Sequence, residues 1–172
     1  MTIQDELLRV LGRRGVRFVA IGVWGVNLCA RDISYTFVTR DVDLFLPPDP
    51  GNLVQAWEAS EDVGLELRSG EEPLDRPHDL IVARAVVQHR ALTRATDGAD
   101  FLVDFTLVMC GFDFEAVWAE RRTFRLNGVD VSVARLTHIA QSKAAAGRPK
   151  DRLYLETHKE MLTDMLRRHE RS

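Results

Sequence analysis

Residues 39–48 read TRDVDLFLPP, with Asp41 and Asp43 one residue apart inside an otherwise apolar run. In a strand successive side chains alternate, so the two carboxylates share one face while Val42 and Leu44 take the other. Carboxylates that close repel each other, and burying them unpaired is costly, so a positive partner is expected between them. Two partners suit the pattern. One is Arg40 or another base, which would make a salt-bridged surface strand; the other is a divalent cation on hard oxygen ligands, as Mg²⁺ prefers. A third carboxylate, Asp104, stands alone in FLVDFTLVM, a second apolar, strand-like run. Upstream, FVAIGVWGVNL reads as a strand, then Gly22, then a helix. That is the arrangement in which backbone N–H groups at a helix N-terminus meet a phosphate. Three acids on neighbouring strands beside a glycine turn would form a two-metal site for in-line attack on phosphorus.

The elements that must position these groups follow from periodicity and punctuation. Residues 2–14 carry a helical stripe of Ile3, Leu7, Leu8 and Leu11, with Thr2 as N-cap and Gly15 suited to the C-terminal cap. VRFVAIGV is a strand by its β-branched and aromatic content, WGVNLCAR a short helix, and ISYTFVTRDVDLFL an extended region closed by Pro47 and Pro48. Asp32, just before it, reads as a turn residue. Asn52 is expected to cap a helix, LVQAWEASEDV, that ends near Gly64. SGEEPLDRPHD reads as a surface loop, and VVQHRALTR and FLVDFTLVM as strands flanking the turn TDGAD. FDFEAVWAERR is helical, and TFRLNGVDVSV is a hairpin turning at Asn127-Gly128. From Leu136 the chain is helical, THIAQSKAAAG and then KDRLYLETHKEMLTDMLRRHE, with a stop and restart at Gly147-Arg148-Pro149 and Asp151 as helix N-cap. The expected class is mixed α+β, with an α/β core over 1–135 and a helical segment over 136–172 packed on it.

Length and composition bound the function. A chain of 172 residues with 45% hydrophobic and 28% charged content builds an ordinary globular core without staples. The net charge of −3 gives no global basic surface, which disfavours a large nucleic-acid footprint. Cys29 and Cys110 lie in apolar runs with no metal spacing and read as reduced core thiols. His78, His89, His138, His158 and His169 have no zinc-site spacing, although His138 is close enough in sequence to Lys143 to approach a nucleotide. Trp24 reads as core more readily than as a base-stacking residue, and Arg121, Arg122 and Arg125 as a solvated cluster. The opening MTIQDELLRVL carries acids where a signal peptide carries bases, and no apolar run approaches the roughly 18–20 residues of a membrane span. The expected setting is soluble and cytoplasmic.

The order of strand, glycine turn, helix, a TRDVDL strand and a later strand with one Asp resembles the nucleotidyltransferase superfamily with the polymerase-β-type fold. AIGVWGVNL followed by TRDVDLFL is similar to its minimal and antibiotic-resistance-like members, and LTHIAQSKAAAGRPKDRLYLE resembles the helical segment of the same proteins and of the abortive-infection toxin-type members. The resemblance implies Asp41, Asp43 and Asp104 as catalytic, metal-binding carboxylates, with Asp104 also the possible base for the acceptor hydroxyl. It implies a phosphate-cradling turn at Gly22 and Val23, and Lys143, with Arg148 or Lys150, neutralising the triphosphate. The implied cofactor is Mg²⁺ or Mn²⁺, the implied substrate ATP or another nucleoside triphosphate, and the acceptor a hydroxyl on a small molecule, RNA or protein. One departure stands out. Val23 occupies a position that the family gives to Gly or Ser, and it brings no hydroxyl to a phosphate and tolerates positive φ poorly. Gly25 two positions on would be the means of keeping the cradle. A degenerate, non-catalytic protein that binds nucleotide or a toxin–antitoxin-type partner is the alternative that Val23 raises, and a plain structural domain with salt-bridged aspartates is a third.

Overall fold

The computed structural model describes residues 1–30 and 41–170. Within them the chain runs α1 (Ile3–Arg13), β1 (Val19–Ile21), α2 (Gly22–Cys29), β2 (Asp41–Phe45), α3 (Pro50–Asp62), β3 (Glu66–Ser69), β4 (Glu72–Pro73) and α4 (Leu80–His89). It continues β5 (Thr93–Thr96), β6 (Leu102–Thr106), α5 (Phe114–Ala119), β7 (Arg122–Leu126), β8 (Val129–Val133), α6 (Leu136–Ala146), α7 (Pro149–Thr157) and α8 (Lys159–Glu170). The strands form one mixed sheet in the order β4-β3-β5-β6-β2-β1-β8-β7. Parallel pairing occurs at β2–β6 and β1–β8, and the other neighbours are antiparallel. The class is α+β, as expected. Arg40, Asp32 and the first part of the extended region lie outside the described residues.

The two faces of the sheet divide by the period of two along each strand. Val42 and Leu44 of β2, Val103 and Phe105 of β6, Thr93 and Ala95 of β5 and Leu67 of β3 are all buried. Their registers place them on one face. Trp57 of α3 is fully buried over this face and donates its indole N–H to Thr93 Oγ1 at 3.1 Å. The opposite face carries Asp41, Asp43, Asp104 and Arg94. At the N-terminus Thr2 and Asp5 bond each other's backbone N–H in a capping box, and Asp5 also accepts from the Asn127 amide at 3.1 Å. That contact pins the β7–β8 hairpin to α1. Its turn residues Asn127 and Gly128 both have positive φ, 49° and 82°, the geometry that Asn-Gly favours.

Several elements depart from expectation. The run VVQH belongs to α4, not to a strand: Asp79 accepts from the Ile81 and Val82 N–H groups, and Ala83 and Val86 are buried one helical turn apart. The helix stops at Arg90, in left-handed geometry at φ 50°, and β5 begins only at Thr93. Part of the expected surface loop is a short hairpin, β3–β4, around Gly70. Asn52 is not a cap. Asp49, ahead of Pro50, accepts from the Asn52 N–H, and the Asn52 side chain bonds both the N–H and the carbonyl of Arg17. Cys29 is buried as expected, but Cys110 is exposed, because the chain has left the sheet after Thr106 and turns between Met109 and Phe112. The final helix divides at His158, where two weak helix formers, Thr157 and His158, meet.

Candidate functional site

Asp43 stands at the middle of a row of side chains that crosses four strands. Its register partners are Ile21 on β1 and Asp104 on β6, and Asp104 is in turn opposite Arg94 on β5. Asp41, two residues earlier on the same face, is exposed, whereas Asp43 and Asp104 are half-buried. Burial, then the charges of Asp104 and Asp41, push the Asp43 carboxyl up to about 6, against the opposing pull of Lys143 and Lys150. Positive groups are thus present near the acids, Lys143 from α6 and Lys150 from α7.

Gly22 follows Ile21 directly and has φ +67°. A Cβ there would collide with Asp43 Oδ2 and come within 3.2 Å of Asp43 Cγ, so the turn and the acid are built against each other. Positive φ falls on Gly22 and not on Val23, which lies in the first turn of α2, so the β-branched side chain brings no strain. Ile21, the N-cap, offers no capping side chain to the first N–H groups of α2. Gly25 is a close-packing position: a Cβ there would stand 3.0 Å from Ala20 O and 3.1 Å from Ile139 Cδ1. Trp24 is buried, as expected.

Lys143 reaches the site from α6. Its ammonium is 3.7 Å from Asp151 Oδ1 and 4.7 Å from the centroid of the Tyr154 ring. Burial lowers its pKa, and the charges of Asp151 and Asp43 hold it up. Asp151 is buried and is no helix cap; Arg148 takes that place in the backbone. Burial alone would raise the Asp151 pKa, but the bond from Arg148, and the charges of Arg148, Lys143 and Lys150, keep it below its usual value. Arg148 donates to Asp151 Oδ2 at 2.7 Å and is otherwise exposed, so it supports Lys143 at one remove, while Lys150 acts on Asp43 by charge. His138 faces Glu120 at 3.2 Å and the Phe112 ring, and Arg121 stacks on Trp118; neither joins the acids.

Sequence reasoning missed Arg94. Its Nε donates to Asp104 Oδ1 at 2.7 Å and its Nη2 to Oδ2 at 3.2 Å, a two-pronged pair. The signal was present. Arg94 and Asp104 lie symmetrically about the turn between Thr96 and Leu102, so a correct start for β5 would have placed them opposite each other. Asp41 and Asp43 offer the hard oxygens that Mg²⁺ or Mn²⁺ takes. No group of three or more His, Cys, Asp or Glu among the described residues is arranged to hold a metal alone. Mg²⁺ typically binds through one or two carboxylates plus substrate phosphates, so this donor set fits it.

The solution structure of the antibiotic-resistance factor ANT(2'')-Ia, which reveals substrate-regulated conformation dynamics, superposes on this chain with a TM-score of 0.52. The match covers 98% of this chain and 89% of that one, at 16% identity. The fold is nucleotidyltransferase-like. At that identity the likeness speaks for architecture, and the site residues must be argued from their own geometry. No protein-family model matches the chain, and no curated protein matches it. No helix among the described residues is long and apolar enough to cross a membrane.

Proposed function

We propose that the protein is a metal-dependent nucleotidyltransferase that moves a nucleoside monophosphate from a nucleoside triphosphate to an acceptor hydroxyl. The observation that carries this reading is the Gly22–Asp43 contact. A glycine turn, a helix N-terminus and a carboxylate raised to about 6 meet at one point, with Asp104 alongside. Nucleotide phosphates would lie against the Gly22 turn and the first N–H groups of α2, with the Lys143 ammonium neutralising their charge. A Mg²⁺ or Mn²⁺ ion on Asp41 and Asp43 would supply the remaining charge neutralisation when bound. The acceptor oxygen attacks the α-phosphorus, the bond to the α,β-bridging oxygen breaks, and pyrophosphate leaves. The acceptor proton passes to Asp104. The rate gain comes from positioning and charge, without a covalent intermediate. Because ANT(2'')-Ia is an antibiotic-resistance factor, a small-molecule acceptor is the first to try.

The missing hydroxyl at Val23, and not its backbone, favours a second reading, a nucleotide-binding protein that transfers nothing and serves a partner, as in toxin–antitoxin pairs. A thermal-shift titration with each of the four nucleoside triphosphates, with and without Mg²⁺, tests the shared nucleotide site without knowledge of the acceptor. A Mg²⁺-dependent rise in melting temperature, lost in Asp43→Asn, is expected. No shift with any nucleotide overturns both readings. A shift without turnover on any acceptor leaves the second.

A further inference from the structure

Arg94 belongs to none of the roles assigned above, yet it holds both oxygens of one of the three acids. We propose that Arg94, by holding both oxygens of Asp104, restricts the site to a single divalent cation. This rests on the nucleotidyltransferase reading. The pair is partly shielded from water, with side-chain exposures of 30% for Arg94 and 13% for Asp104, and its two-pronged geometry is the strong form of such a contact. A guanidinium that faces both oxygens already stands where a second metal ion would bind Asp104. For that ion to enter, Arg94 must withdraw and leave a charge in a half-buried place, and Arg68, in register with it on β3, is the next cation along the row. The Arg94 charge also acts on Asp41, so it supplies part of the neutralisation that a second ion would bring.

The consequence is a countable difference in metal stoichiometry. Bound Mn²⁺ is counted by electron paramagnetic resonance in the presence of each triphosphate carrying a non-hydrolysable α,β-methylene bridge. Wild type is expected to hold one Mn²⁺ per chain. Arg94→Gln is expected to hold two, magnetically coupled, and the double variant Arg94→Gln with Asp104→Asn to return to one. Two ions in wild type, or one in Arg94→Gln, overturns the proposal and leaves the nucleotidyltransferase reading standing. No Mn²⁺ on wild type with any analogue removes that reading and this proposal with it. Should Arg94→Gln not fold, Arg94→Lys keeps the charge without the fork. A second, weaker Mn²⁺ site is then the expected result, and its absence at saturating Mn²⁺ counts against the proposal.

Discussion

At Asp43 the folded chain holds a carboxyl whose pKa is pushed up to about 6 from an ordinary 3.8, by burial first and by Asp104 and Asp41 next. A group raised in this way binds its proton more tightly in the native state than in the unfolded chain. Stability therefore falls as pH rises from about 4 to about 6, and above that window the ionised acid leaves the cost in place. At neutral pH the cost is on the order of 2 kcal/mol, since a tenfold change in proton affinity corresponds to about 1.4 kcal/mol and relaxation of the site takes part of it. Asp43→Asn keeps the shape and removes the charge. In metal-free protein at pH 7.5 it should unfold at higher urea than wild type, with the advantage vanishing near pH 4. A variant less stable than wild type at pH 7.5 would show that Asp43 is satisfied by the protein alone. The same substitution that stabilises the empty site should abolish its nucleotide-dependent shift, because strain held at such a residue is what a cation relieves.

The join between α6 and α7 is where an element, and not a single side chain, determines what reaches the acids. Gly147 at φ +61° ends α6, Pro149 opens α7, and the turn brings Asp151 back beneath Lys143. Asp151→Ala leaves Lys143 without its nearest counter-charge in a half-buried position, which costs roughly 2–3 kcal/mol by the usual penalty for an unpaired buried partner. Arg148→Ala removes a side chain that is 61% exposed, and should cost below about 1 kcal/mol. Urea unfolding of the two variants separates these outcomes; equal effects would mean that Arg148, not Lys143, is the partner that counts. This motif was visible in the sequence as a helix stop and restart, but the role of Asp151 was not, because a helix N-cap and a buried counter-ion look alike without the fold. Elements with their own punctuation were legible: the Thr2 cap, the Asn127-Gly128 hairpin and the strand carrying Asp41 and Asp43. Helix α4 was not, because Val86 and Val87 are β-branched and its start is signalled only by Asp79. That error moved the beginning of β5 and so hid Arg94.

Across the whole molecule, the order of strands in the sheet could not be read from the chain, because it depends on which distant segments pair. What the sequence did indicate was two parts, 1–135 and 136–172. In the structure Leu136 and Ile139 of α6 and Leu162 and Met165 of α8 are buried in the same apolar cluster as Val19, Val42 and Leu44 of the sheet. Ile139 lies where a Cβ on Gly25 would touch it, so α6 locks onto α2, the helix that begins at the Gly22 turn. Shared burial of this kind predicts that both parts unfold as one cooperative unit. Trp57 on α3, fully buried against β5, reports the sheet through its fluorescence once the other two tryptophans, Trp24 and Trp118, are replaced by Phe, while circular dichroism at 222 nm is weighted toward helix and includes α6, α7 and α8. The two transitions should coincide in urea. Loss of helical signal ahead of the Trp57 change would instead mark 136–172 as a separately melting piece. Lys143 would then sit on an element that detaches before the core, and the phosphates could not rely on it.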